Sequence, residues 1–311
     1  MSLQSPLSIP PEQSKPVAGS ESLSQRLGAY VELTKLRISV MVVITFVVAA
    51  MMAAPSMPTA GVMIWGTLGM LLIAGSGNAM NMLLERRSDF LMARTAGRPL
   101  PAQRLTAIEV TIFGVVTLLL SIAILGYFVN WPTAICGLAN WVLYVLIYTP
   151  MKRKTWLNTE VGAVAGALPV LMGALATSTT IPIAVWAFFG VLFLWQFPHF
   201  MAIAWKYREQ YRDGGLQMLT VVDPTGARAG RKAVVTCALL IATSLVPAFF
   251  VRSWGHGLLL AVVALVVGVY YMKASLRFNQ QPNDETAKKL LRSSLLYLPL
   301  YMLGLMVACL T

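Results

Sequence analysis

The sequence predicts an all-α integral membrane protein, a bundle of nine transmembrane helices with its N-terminus in the cytoplasm. Three observations carry that prediction. Charged residues make up 12% of the 311 and apolar types 57%, whereas a soluble domain is about a quarter charged. The apolar residues gather in charge-free runs sized for a bilayer core about 30 Å thick, which takes about 20 residues per helix. Finally, 23 of the 24 Lys and Arg fall on one side of the arrangement these runs define, as basic residues do on the cytoplasmic face.

Three runs are of double length: Ile38 to Leu84 (47 residues), Val110 to Met151 (42) and Val161 to Trp205 (45, with His199 inside). Each has turn chemistry near its middle, at Pro55 and Pro58, at Asn130 to Pro132, and at Thr177 to Pro182. Each therefore reads as a helical hairpin. Single runs at Ala233 to Val251, Ser253 to Met272 and Ser293 to Thr311 complete nine spans. Arg252 is the single basic residue on the opposite side, so the net charge of +12 is a topology signal and not the footprint of a nucleic-acid partner. Residues 1–25, rich in Ser and Pro, are expected to be a disordered cytoplasmic tail ahead of a transmembrane domain at 26–311. With Glu12 and Glu21 and so little Arg, they do not resemble a mitochondrial transit peptide. Cys136, Cys237 and Cys309 lie within apolar spans without CxxC spacing, which argues against a disulfide or a thiolate metal site.

Span one follows YVELTKLRIS, where Glu32, Lys35 and Arg37 read as interface anchors. Span two carries GSGNAMN, small residues suited to close helix approach, and Asn78 there reads first as a helix-to-helix hydrogen-bonding amide. It runs into the densest charge of the chain, NAMNMLLERRSDFLMARTAGRPLP at Asn78 to Pro101. Asn81, Glu85 and Asp89 recur every four residues, so on a helix they share one face, all within about 80°. An amide and two carboxylates in a stripe suit Mg2+, which takes one or two carboxylates, several waters and substrate phosphate. Arg94 and Arg98 beyond it have the forked geometry that holds phosphate oxygens. The alternative is a charged helix end serving only as a topological anchor.

Span four ends in YTPMKRKTWLNTE, where Lys152, Arg153 and Lys154 read as positive-inside markers. Span five carries Gly162, Gly166, Gly173 and Pro169, a pattern for close packing and a kink. Span six leads into WQFPHFMAIAWKYREQYRDGG. His199 there lies roughly 10 Å inside the membrane face marked by Lys206, and an intramembrane imidazole is a functional candidate; an interhelical hydrogen bond is its other reading. Beyond come Lys206, Arg208, Glu209, Arg212 and Asp213, with Glu209 and Asp213 again four apart. Spans two and six both end on the cytoplasmic side. If they are neighbours, a cavity between them has acids for a metal and bases for phosphate. His256, in the external turn SWGHG, reads as a loop histidine.

NxxxExxxD followed by RTxxRPLP, KRK with TWLNT, and WQFPHF with RExYxxGG together resemble the protohaem IX farnesyltransferase (haem O synthase) family of the UbiA superfamily of intramembrane prenyltransferases. The resemblance runs from about residue 30 to about residue 300. It implies a nine-helix UbiA-type fold in a bacterial inner membrane, with Mg2+ and isoprenoid diphosphate bound at a cytoplasmic-side cavity. It implies that Asn81, Glu85 and Asp89 form the first metal site, Arg94 and Arg98 contact the leaving group, and Glu209 serves the second site. Lys206, Arg208, Glu209, Asp213 and His199 are then expected to bind substrate, His199 matching the family's PHF histidine as a haem contact. Two departures bear on this: Arg87 stands where many members have an acid, and the second motif reads REQY, with Gln210 for an acid that Asp213 would have to replace. The implied reaction is farnesyl transfer from farnesyl diphosphate to a vinyl group of haem B, with haem A synthase or a terminal oxidase as candidate partners. A prenyltransferase for a quinone-ring precursor and, distantly, a polytopic transporter are the competing readings.

Overall fold

In the computed structural model, which describes residues 22–251 and 253–310, the described residues form helices long and apolar enough for nine membrane spans. Arg252 and the tail up to residue 21 lie outside the described residues. Helix α1 (Leu23–Leu33) starts at Ser22, whose hydroxyl accepts from the Gln25 amide while the Gln25 side chain returns to the Ser22 amide. This capping box makes Leu23 to Gln25 helical, although the sequence reading places them in the tail. Lys35 then takes a left-handed conformation, φ 48°, and turns the chain into α2 (Leu36–Ala53).

Helix α3 (Ala60–Leu91) has 32 residues, about 48 Å at 1.5 Å per residue. It is longer than a hydrocarbon core, so its last turns carry Glu85 and Asp89 beyond the apolar run. It packs along α4 (Ala107–Phe128), with Ser76 Oγ donating to the Gly114 carbonyl and Ser121 Oγ to the Gly69 carbonyl, both at 2.7 Å. Span four is broken in register: α5 (Trp131–Val142) passes through a π-helical turn at Leu143–Tyr148 before α6 (Thr149–Met151). Such turns are rare and re-aim side chains; here Tyr144 and Tyr148 both line a cavity.

Helices α7 (Asn158–Thr177) and α8 (Ile183–Lys206) are the most enclosed spans. The glycines of α7 serve close approach, as expected: a Cβ at Gly173 would overlap the Phe46 carbonyl, and one at Gly162 would stand 2.6 Å from the Tyr148 ring. After α8 the chain breaks at Tyr207 into short α9 (Arg208–Asp213) and α10 (Leu219–Val222). Then come α11 (Ala227–Leu245) with a 3₁₀ turn at Val246–Phe250, α12 (Trp254–Gln280) and α13 (Asp284–Leu310). The packed pairs run α2 to α7, α7 to α8, α8 to α11 and α13, and α13 back to α2. Helices α3 and α8 are not a packed pair, with α2 and α7 between them. The expected adjacency of spans two and six is replaced by a cavity of about 570 Å³ that both line.

Candidate active site

The helical spacing of Asn81, Glu85 and Asp89 turns all three inward, where they are buried at 1%, 7% and 0% exposure. Each is answered by a cation from another segment. Lys35 Nζ donates to Asn81 Oδ1 at 3.0 Å, and the Asn81 amide donates to Thr149 Oγ1 at 3.1 Å. Lys152 Nζ stands 2.7 Å from Glu85 Oε1 in a buried ion pair. Arg98 donates to Asp89 Oδ2 at 2.7 Å, whereas Asp89 Oδ1 is buried with no hydrogen-bond partner. The loop that supplies Arg98 is held by Thr95 Oγ1, which donates to the Asp89 carbonyl at 2.9 Å.

Lysines outside the spans report the field of this cluster. Burial, with Arg98 and Lys152 adding to it, pulls the Lys35 ammonium down to about 7 against the attraction of Glu85. Burial works the same way on Lys152, but Glu85 and the phenols of Tyr148 and Tyr144 outweigh it and hold its pKa above the ordinary lysine value. Lys152 also lies over the Tyr148 ring at 4.5 Å. The sequence reading assigned Lys35 to the interface and Lys152 to topology. The structure puts both in the site, and Arg153 beside them donates to Ser88 Oγ at 3.0 Å. One signal was available in the sequence: Lys152 is the first charge after a 42-residue apolar run, as Glu85 is after its own.

The second motif is arranged differently from expectation. Because the helix breaks at Tyr207, Gln210 and Tyr211 turn towards the first-motif loop: Gln210 Oε1 accepts from the Arg94 amide at 3.2 Å and Tyr211 Oη from the Arg94 guanidinium at 3.3 Å. Arg94 also lies over the Tyr207 ring at 4.4 Å. Glu209 and Asp213 are exposed, and Glu209 has its side chain 70% exposed, 4.0 Å from Arg208. Lys206 is exposed against Tyr207, and Arg208 bonds Asp284 at 3.0 Å. Among the described residues no group of three or more His, Cys, Asp or Glu forms, so Glu209 does not join Glu85 and Asp89.

The donor set is thus two carboxylates and an amide, with a buried oxygen, Asp89 Oδ1, that no hydrogen bond uses. That chemistry fits a hard divalent cation whose remaining ligands are water and phosphate. The neighbouring cavity is lined by Lys35, Asn78, Tyr148, Trp195 and His199 among mostly apolar residues. Asn78 donates to the Thr34 carbonyl at 3.0 Å, so it is an interhelical amide as well as a lining one.

The site is a cation-ringed acid stripe beside a largely apolar cavity among the spans, in an all-helical membrane fold. The chain belongs to the UbiA prenyltransferase family, whose model matches residues 42–298. Within that family it belongs with the protoheme IX farnesyltransferases. It is 41% identical to that of Rhodopirellula baltica over 88% of this chain and 97% of the relative, and 42% identical to that of Solibacter usitatus over 77% and 81%. The fold is that of digeranylgeranylglyceryl phosphate synthase (TM-score 0.75, 16% identity, 92% and 99% of the two chains). It is also that of a UbiA homolog from Archaeoglobus fulgidus bound to GPP and Mg2+ (TM-score 0.65, 15% identity, 91% and 100%).

Proposed function

We propose that the chain transfers the farnesyl group of farnesyl diphosphate to a vinyl group of haem B, giving haem O. The observation that carries the reading is the junction of the buried Asn81, Glu85 and Asp89 stripe with an apolar cavity of about 570 Å³, alongside the 41% identity to a protoheme IX farnesyltransferase. Asn81, Glu85 and Asp89 hold Mg2+, which when bound neutralises charge on the diphosphate oxygens.

As the allylic C–O bond breaks, its electron pair leaves with diphosphate. Arg98, Lys152 and Lys35 already surround the site of that charge, and preorganised groups of this kind are usually the largest catalytic contribution. Arg94, held by Gln210 and the two tyrosines, binds the outer phosphate, and Lys206 and Arg208 attract the anion at the mouth. The terminal vinyl carbon bonds to farnesyl C1, water bonds to the other vinyl carbon, and a proton is released. The aromatic walls at Tyr144, Tyr148 and Trp195 exclude water until the carbon–carbon bond has formed.

The active site faces the cytoplasm of a bacterial inner membrane, and the product passes to a haem A synthase or a terminal oxidase. The test is direct: purified protein in nanodiscs, given haem B, farnesyl diphosphate and Mg2+, forms a product of haem O mass, and a chelator stops it. Prenylation of an aromatic acid with haem left untouched would assign the chain to a quinone pathway instead.

A further inference from the structure

Gln196, on α8 three residues before His199, is 6% exposed and lines the cavity. Its Nε2 donates both hydrogens, to the Ala163 carbonyl at 2.9 Å and to the Leu192 carbonyl at 3.0 Å. Those bonds settle which way the amide faces, since the reversed group would press Oε1 against two carbonyl oxygens that have no hydrogen to give. Oε1 is thereby turned across Gly166 of α7, where an added Cβ would overlap it. The side-chain hydrogen bonds of Gln196 among the described residues are those two, both donated, so the accepting capacity of Oε1 is unused.

A second acceptor stands beside it in the chain. Pro169 has no N–H to return to the Ala165 carbonyl four residues back, and Ala165, Gly166 and Pro169 all line the cavity. An unpaired acceptor in apolar surroundings is costly, and a water, with two hydrogens to give, is held by two to four polar partners. A propionate or diphosphate oxygen, itself an acceptor, does not satisfy these groups. Other polar atoms of the wall are engaged or closed off: His199 Nδ1 pairs with Ser294 Oγ at 2.7 Å, and Asn140 Oδ1, though without a hydrogen bond, is enclosed. Gly166 lies one helical turn, about 6 Å, deeper in the bundle than Gly162, which meets the Tyr148 ring beside the acid stripe.

We propose that Gln196 Oε1, with the Ala165 carbonyl, positions the water that completes the reaction. The proposal rests on the reading of haem B as the prenyl acceptor. When the vinyl π pair bonds its terminal carbon to farnesyl C1, positive charge is left on the inner vinyl carbon. The held water gives its two hydrogens to the two oxygens and turns a lone pair to that carbon. Its oxygen bonds there, and the protonated hydroxyl then releases one hydrogen to the departed diphosphate, the base that the reaction itself makes. Without the water the same cation sheds a proton from the carbon that bears the farnesyl group and becomes an alkene. A fixed water lets an apolar cavity hydrate one cation and spare the other, because it is held a turn deeper than the aromatic wall that shields the allylic carbon.

The test uses the full-length protein in nanodiscs with haem B, farnesyl diphosphate and Mg2+ in heavy-oxygen water, and reads by mass the ratio of hydrated to alkene product. Wild-type protein is expected to give haem O carrying the heavy oxygen. Gln196→Met, which keeps the side-chain length but not the amide oxygen, is expected to lower the ratio at least about tenfold. A merely structural role for Gln196 lowers both products together and leaves the ratio unmoved. Gly166→Ala, which displaces Oε1, is expected to move the ratio in the same direction, and it decides the matter if Gln196→Met does not insert. An unchanged ratio in these variants, or wild-type haem O without the heavy oxygen, overturns the water site while leaving haem as acceptor. Wild-type protein that farnesylates no haem overturns the acceptor reading and the water site with it.

Discussion

Lys152 Nζ lies 2.7 Å from Glu85 Oε1, with the two side chains only 15% and 10% exposed. The contact joins the exits of spans four and two across the head of the cavity. Removing one partner of such a buried pair strands the other charge at a cost of about 3–5 kcal/mol. Lys152→Met is therefore expected to lower both thermal stability and turnover. Adding Glu85→Gln is expected to recover part of the stability and none of the turnover, because the metal ligand is lost too. A double-mutant cycle on unfolding, run beside the haem O assay, separates the two, and a coupling energy near zero would show that the pair does not act as one.

Asp89 spends one oxygen on Arg98 and keeps the other buried without a hydrogen bond. Asp89→Asn preserves volume but removes the charge that a cation would use. Activity is expected to fall at least about 100-fold, the scale of losing roughly 2.7 kcal/mol of transition-state stabilisation, with a higher Mg2+ requirement in the residual rate. Full activity in both Asp89→Asn and Glu85→Gln would reduce the stripe to a topological anchor.

In the second motif the contacts favour the uncharged positions. Glu209 and Asp213 are exposed, while Gln210 holds the Arg94 amide. Asp213→Asn and Glu209→Gln are each expected to change turnover by less than about threefold, as surface changes usually do. Gln210→Ala, which removes a hydrogen bond of about 0.5–1.5 kcal/mol, is expected to raise KM for farnesyl diphosphate up to about tenfold. A 100-fold loss in Asp213→Asn would mean that Asp213 replaces the acid absent at position 210.

Nine spans were legible because charge-free length is a one-dimensional property, and the i, i+4 stripe because one helix carries all of it. What the sequence did not reveal depends on contacts between segments. Lys152 looks like any basic anchor until α6 is brought beside α3, and Lys35 until its left-handed turn places it over Asn81. Glu209 and Asp213 were not distinguishable from their neighbours in the sequence, because the chain breaks at Tyr207 and the short helix after it presents Gln210 and Tyr211 to Arg94. Ser294 gave no signal, since its meaning lies in a bond to a histidine 95 positions away.

Orientation rests on the basic residues and has its own test. Single cysteines replacing Arg98, Arg153 or Asp284, in a background lacking Cys136, Cys237 and Cys309, are expected to react with an impermeant thiol reagent only after the cytoplasmic face is opened. Cysteine at Ser253 is expected to react in intact cells. Labelling of the first three in intact cells would invert the bundle.

Gly162 tests whether the aromatic wall beside the acid stripe is held in place by packing. A Cβ at this position would come within 2.6 Å of Tyr148 Cε2 and 3.0 Å of Cδ2. That ring stacks on Tyr144 at 5.6 Å and sits under Lys152 at 4.5 Å, so a shift away from the added carbon disturbs both contacts. Overpacking of this kind costs about 1–3 kcal/mol, and here the strain falls on the ring that positions the cation paired with Glu85. Gly162→Ala is therefore expected to reduce turnover about tenfold or more, with normal membrane insertion. Gly97→Ala, where nothing lies within 4 Å of the added carbon, is expected to behave as wild type. Tyr148→Ala in the Gly162→Ala background is expected to relieve the strain, seen as recovered thermal stability, without restoring turnover, because the aromatic wall and the cation–π contact to Lys152 are then gone. Wild-type turnover in Gly162→Ala would show that the Tyr148 ring shifts freely, and its place in the wall would have to be given up.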